Sequence, residues 1–172
     1  MMKEWIPIPG TNKDRLITVA LEEFSKKGFE GVNITELAEK AQMTTGAVYH
    51  HFGSKAKLYE VIRTEIEQRI LDRMEGAASL FDNPNEAIKA SMITGMDFVT
   101  KNEFSRLISE PNPTNKTDRI ERFLSDLNNN NDLPLELVLI ASWRSILKGI
   151  SKEEITSKQG KELINWLFKK ES

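Results

Sequence analysis

Cysteine is absent from the chain, which excludes disulfides and thiolate metal sites. Histidine is scarce: His50 and His51 are the only two, and they are adjacent. Neighbouring positions on a helix point about 100° apart, and no third ligand stands at helical spacing, so no metal site is predicted. Long apolar runs are missing too. The most apolar stretch, residues 133–147, contains Glu136 and Arg144 and is too short to cross a bilayer. The first ten residues, M-M-K-E-W-I-P-I-P-G, lack the apolar run of a signal peptide, so the expectation is a cytoplasmic protein without membrane contact. No nucleophile with a base, carboxylate pair, phosphate loop or metal cluster stands out. Neither an enzyme nor a cofactor is predicted. Excess positive charge is lacking as well: the net charge is −2 and the isoelectric point is near 5.8. Such a chain does not coat nucleic acid indiscriminately, and any such contact has to come from a local patch. No segment alternates polar and apolar residues long enough to make a strand, so the fold class is all-α.

What remains is ordinary globular material, 172 residues with 39% hydrophobic and 29% charged content. That is enough for one sizeable core or two small ones sharing a helix. The most informative stretch is N-I-T-E-L-A-E-K-A-Q-M-T-T-G-A-V-Y-H-H-F-G-S-K-A-K-L, residues 33–58. Asn33 followed by Glu36 is a capping-box-like start for a first short helix bearing Ile34, Leu37, Ala38 and Ala41. Gln42 and Met43 turn the chain. Thr44 caps a second helix from about Thr45 to Phe52, and Ser54 caps a third beginning at Lys55. Two helices joined by so short a turn cross steeply, as in a helix-turn-helix whose second member enters a DNA major groove.

The side chains suit that use. Between Lys40 and Tyr59 there is no acid, while Lys40, Lys55 and Lys57 supply three positive charges in a chain of net −2. Ala47, Val48 and Phe52 face inward. Thr44, Thr45, Tyr49, His50 and His51 offer the hydroxyls and ring nitrogens that phosphate and base-edge contacts need.

Residues 45–58, T-G-A-V-Y-H-H-F-G-S-K-A-K-L, resemble the signature of the TetR-type bacterial transcriptional regulators, with Gly46, Tyr49, Phe52 and Lys55 in matching places. Leu16, Ile17, Ala20, Leu21 and Phe24, followed by Lys27-Gly28-Phe29, resemble that family's first helix and its exit, so the likeness spans about residues 11–62. Gln42 departs from it, standing where the family often has Gly. The resemblance implies that Asn33, Thr35, Thr44, Thr45, Gly46, Tyr49, His50, His51 and Lys55 form the contact with double-stranded, pseudo-palindromic operator DNA. It also implies a homodimer and an unknown small-molecule effector.

Along the rest of the chain, residues 1–10 read as an arm ahead of a helix that starts near Thr11 and ends at Gly28. The helix from Ser54 continues through Leu58, Ile62, Ile66, Ile70 and Met74 to about Glu75, a rod of roughly 33 Å that can serve two modules. A helix-turn-helix domain over 1–58 is therefore expected to pass into a helical effector-binding and dimerisation domain over 59–172. Asp82-Asn83-Pro84 starts a helix reaching about Lys101, Leu107 and Ile108 mark a short piece, and another helix runs from about Thr117 to Asn128. Between Leu135 and Leu147 apolar residues lie on nearly every side, so this helix wants a partner outside its own domain. The last helix, ending at Phe168, starts at Ser151 or Ser157, and Gly160 weakens it. In the family resembled, the last two helices pair with their copies in a four-helix bundle. Leu139, Trp143, Ile146, Ile164, Leu167 and Phe168 are the candidate dimer residues, and Met92, Met96, Phe123 and Trp143 the candidate effector residues. The rival readings are a helical protein-interaction module and a DNA-binding regulator without a small-molecule effector.

Overall fold

The computed structural model describes residues 9–113, 118–129 and 131–169. Among these, all regular structure is helical. Most of the N-terminal arm lies outside the described residues. The chain divides into two compact units, Met1–Glu65 and Ile66–Ser172.

The first unit is built by caps. α1 spans Asn12–Gly31, with the Thr11 hydroxyl accepting from Asp14 N. Its regular path breaks at Gly28, where φ is 71°, so the expected end at Gly28 is a kink followed by one more turn. A positive φ there is open to glycine at little cost. α2, Ile34–Lys40, begins at Asn33, whose side-chain oxygen accepts from Thr35 N and Glu36 N. α3, Thr45–Phe52, begins at Thr44, which accepts from Ala47 N. The turn between them places Gln42 at φ 55°, the left-handed region. α4, Lys55–Ala78, starts with Ser54 Oγ accepting from Lys57 N at 3.1 Å. Leu16, Ala20 and Phe24 of α1, Leu37 of α2, Val48 of α3 and Leu58 and Tyr59 of α4 are buried together as the core. Phe52, expected inside, is only half-buried.

The second unit takes the remainder of α4 and five further helices. α5, Pro84–Lys101, starts on Asn83 with Pro84 in the first turn, where its missing N–H costs nothing. α6 is Ser105–Ser109. α7, Arg119–Leu127, starts on Asp118, whose carboxylate accepts from Ile120 N and Glu121 N and also pairs with Arg144 on α8. One side chain thus both begins α7 and ties it to its neighbour. At the other end of α7, Asn128 donates from its buried amide to Leu133 O at 2.8 Å and to Glu136 at 3.1 Å.

α8 spans Leu135–Ser151, past the expected end at Leu147. It stops because Glu153 takes φ 59° and the amides of Glu153 and Glu154 turn back to Ile150 O and Gly149 O. Ser151 is thus the last helical residue of α8 and not a cap. α9, Ser157–Leu167, is capped by Thr156 in a box with Gln159, one residue ahead of the other candidate, Ser157. Gly160 sits inside α9 because a Cβ there would meet Met96 Sδ at 2.9 Å and Ile146 and Ile150 at 3.0 Å. Gly95 plays the same part on α5, against Met74 at 3.1 Å and Trp143 at 3.2 Å. No helix among the described residues is long and apolar enough to cross a membrane.

Candidate nucleic-acid interface

The groove-sized element of the first unit is α3, eight residues with only Val48 fully buried. Thr45 and Tyr49 stand one helical turn apart and share a face. Thr45 is half-buried and Tyr49 is 46% exposed, the phenol reaching solvent. At Gly46 an added Cβ would meet nothing closer than Thr44 Oγ1 at 4.0 Å, so the exposed backbone there is open to close approach. His50 and His51 are exposed in the last turn with ring centres 5.8 Å apart. Thr35 is exposed at the start of α2. Asn33 and Thr44 already spend their acceptor oxygens on helix starts, so both serve first to fix the ends of α2 and α3.

Four lysines of this unit fall into two groups. Glu23, 5% exposed on α1, takes Lys27 at 2.8 Å and Lys40 at 2.5 Å. Hydrogen bonds from Lys27 and then Lys40 outweigh desolvation and hold the Glu23 carboxyl below its ordinary range. The same pairing, led by the hydrogen bond to Glu23, raises Lys27. Lys40 is therefore compensated by an acid lying outside the acid-free stretch, and the local positive patch is smaller than residues 40–59 alone imply. Lys13 and Lys55 instead rest on aromatic faces, Lys13 Nζ 5.6 Å from the Phe52 ring centre and Lys55 Nζ 4.7 Å from that of Phe29. A ring orients an ammonium without cancelling its charge. Among the described residues neither lysine pairs with a carboxylate. Lys13, Phe29 and Glu23 were not singled out from the sequence as site residues. Only a tertiary contact gives them a role, and the one local sign was the aromatic in Lys27-Gly28-Phe29.

Residues 16–62 match the family model described as bacterial regulatory proteins, tetR family. The chain resembles the TetR family through this segment. A probable acrEF/envCD operon repressor of Escherichia coli strain K12 is 27% identical over 90 residues, 52% of this chain and 41% of that protein. The chain thus spans about two-fifths of that curated relative's length. Among solved structures, a TetR-like transcriptional regulator from Rhodococcus sp. RHA1 superposes with a TM-score of 0.72 at 18% identity, covering 94% of this chain and 96% of that one. AibR, solved with isovaleryl coenzyme A and operator DNA, gives 0.63 at 17% identity, covering 92% and 98%. At such identities these two likenesses establish the fold.

In the second unit, the residues expected at an effector pocket are packed core. Met92, Met96 and Trp143 are fully buried, and the Trp143 ring N–H donates to Met92 O at 2.9 Å. Phe123 is half-buried on α7. A cavity of about 350 Å³ lies elsewhere, walled by Ile88, Leu135, Val138, Leu139, Leu167 and Phe168 together with polar side chains such as Asn85 and Glu86.

The expected dimer residues lie mostly on the packed sides of their helices. Leu139, Trp143, Ile146 and Ile164 are buried within the chain itself, and Leu167 and Phe168 are half-buried. The apolar side chains left in solvent are Leu137 at 56% and Val138 at 61% exposure on α8, with Leu163 at 43% and Trp166 at 69% on α9. Between α8 and α9 runs a groove of about 390 Å³ lined by Ala141, Ser142, Ser145, Ile146, Leu163, Trp166 and Leu167. Residues 139, 143 and 146 share the inward stripe of α8, whereas 137, 138, 141 and 145 lie on the opposite side.

Proposed function

We propose that this chain is a sequence-specific DNA-binding transcriptional repressor, cytoplasmic and without catalytic activity, that works as a homodimer and is released from its operator by a small-molecule effector. The observation that carries the reading is α3: an exposed helix presenting Thr45, Gly46 and Tyr49, with Lys55 uncompensated at the start of α4. Thr44, Thr45 and Tyr49 meet the duplex in the major groove, Asn33 and Thr35 approach from the start of α2, and His50 and His51 contact the backbone. Lys55 grips a phosphate beside the first free amides of α4. Two copies place two such helices about 34–36 Å apart, so the operator is a pseudo-palindrome.

The relatives support this in kind. The Escherichia coli protein is described as an operon repressor, and AibR was solved with both a ligand and operator DNA. An effector that reaches Met92, Met96, Phe123 or Trp143 has to open a packed core, so its binding changes tryptophan fluorescence.

A salt-dependent gel shift on the DNA flanking its own gene tests the function. Lys55→Ala weakens binding on all sequences alike and lowers the salt slope by about 1, whereas Thr45→Ala changes the preference among operator variants. A helical interaction module without DNA binding gives no shift at any salt concentration.

A further inference from the structure

Lys55 is held in a way that neither helix capping nor ion pairing explains. Its Nζ lies 4.7 Å from the centre of the Phe29 ring. Phe29 is itself fixed: it meets Tyr59 edge-on with centroids 5.0 Å apart, and Tyr59, fully buried, meets Phe24 in the same manner at 5.1 Å. On its polar end Tyr59 accepts from Arg63 Nη1 at 2.8 Å. The kink at Gly28, φ 71°, diverts the chain immediately before Phe29. A continued α1 would carry residue 29 on along its helical path. Three rings thus form a ladder from the core to the surface, and its outermost face carries the ammonium.

We propose that Phe29 is a positioning residue for DNA binding, its ring face holding the Lys55 ammonium at the N-terminal end of α4 so that the lysine meets a phosphate already ordered and with its charge intact. The contrast with Lys40 carries the logic. Lys40 is held by the carboxylate of Glu23 and so brings little net charge to a phosphate. A ring restricts the long side chain, lowering the entropy lost on contact, and leaves the full positive charge for the backbone. This inference rests on the DNA-binding reading proposed above.

Two measurements test it. In the DNA-free full-length chain, the Lys55 side-chain proton resonances, assigned by their loss in Lys55→Ala, shift upfield from the ring current of Phe29. The shift disappears in Phe29→Met and persists in Phe29→Trp. With a fluorescein-labelled duplex of mixed sequence at low salt, Phe29→Met weakens binding about two- to fivefold and Phe29→Trp restores it. On the Lys55→Ala background Phe29→Met has no further effect. An unshifted Lys55 in the wild-type chain overturns the proposal, whatever the variants do. A Phe29→Met loss of equal size with and without Lys55 also overturns it, since the ring then acts through the fold and not through the lysine. If Lys55→Ala alone binds the duplex as the wild type does, the phosphate role of Lys55 fails first. That outcome is distinguishable because the upfield shift is still present.

Discussion

Gly160 on α9 faces Met96 on α5 so closely that a Cβ would lie 2.9 Å from the sulfur. Helix propensity and packing therefore make opposite predictions for Gly160→Ala. Propensity favours the alanine by about 1 kcal/mol. Packing opposes it, because two branched side chains, Ile146 and Ile150, crowd the same spot at 3.0 Å and overpacking costs about 1–3 kcal/mol. The expected outcome is a net loss of about 1 kcal/mol, read as a lower urea midpoint with unchanged slope. A gain would mean that α9 moves outward at no cost.

Gln42 offers the reverse case. It holds φ 55° in the turn between α2 and α3, a conformation that costs a side-chain-bearing residue roughly 1 kcal/mol relative to glycine. Gln42→Gly is expected to stabilise the chain by up to about 1 kcal/mol in urea denaturation, with its helical circular dichroism unchanged. Destabilisation would show that the Gln42 side chain makes up for its backbone.

Glu23 gives a pH signature. Its carboxyl is held low by Lys27 and Lys40, so the stability it lends is present above the ordinary carboxylate range and is lost as pH falls through the depressed value. Lys27 is raised, so its share is present below the ordinary lysine range and is lost as pH rises through the raised value. Glu23→Gln should cost about 1–2 kcal/mol at neutral pH and nothing once the wild-type carboxyl is protonated. Urea titrations of both proteins from neutral pH down into the acid range check this, and parallel curves at every pH would refute the linkage.

The particulars of the fold show what a sequence can and cannot carry. Asn33, Thr44 and Asn83 begin helices where their type and spacing say they should, because a cap is a local transaction between a side-chain oxygen and an amide two or three residues on. The start of α9 was missed by one residue because Thr156-Ser157 offers two adjacent hydroxyls, and only the box with Gln159 selects the first. The pairing of Lys40 with Glu23 was invisible, since the two lie on different helices and no local pattern links them. The outward face of α8 carried no local mark for a different reason. When apolar residues surround a helix, the period that distinguishes inside from outside is absent, and only packing against α6, α7 and α9 decides it.

The outward faces of α8 and α9 bear on the last prediction, which concerns assembly. Trp166 and Val138 are 69% and 61% exposed, so replacing either with Glu removes little from the fold of one chain, and the change in unfolding free energy is expected to stay within about 0.5 kcal/mol. If the proposed homodimer buries these positions against a second copy, an unpaired carboxylate there is costly, so Val138→Glu and Trp166→Glu are expected to sediment as monomers at micromolar concentration. Each monomer keeps one recognition helix, so operator binding weakens sharply although α3 is untouched. Ile164→Ala is the control from the inner face. It is fully buried, its loss costs about 2–5 kcal/mol, and it lowers stability at every chain concentration and not only the dimer fraction. A dimer that survives both Glu variants would place the two-fold interface away from the outer faces of α8 and α9.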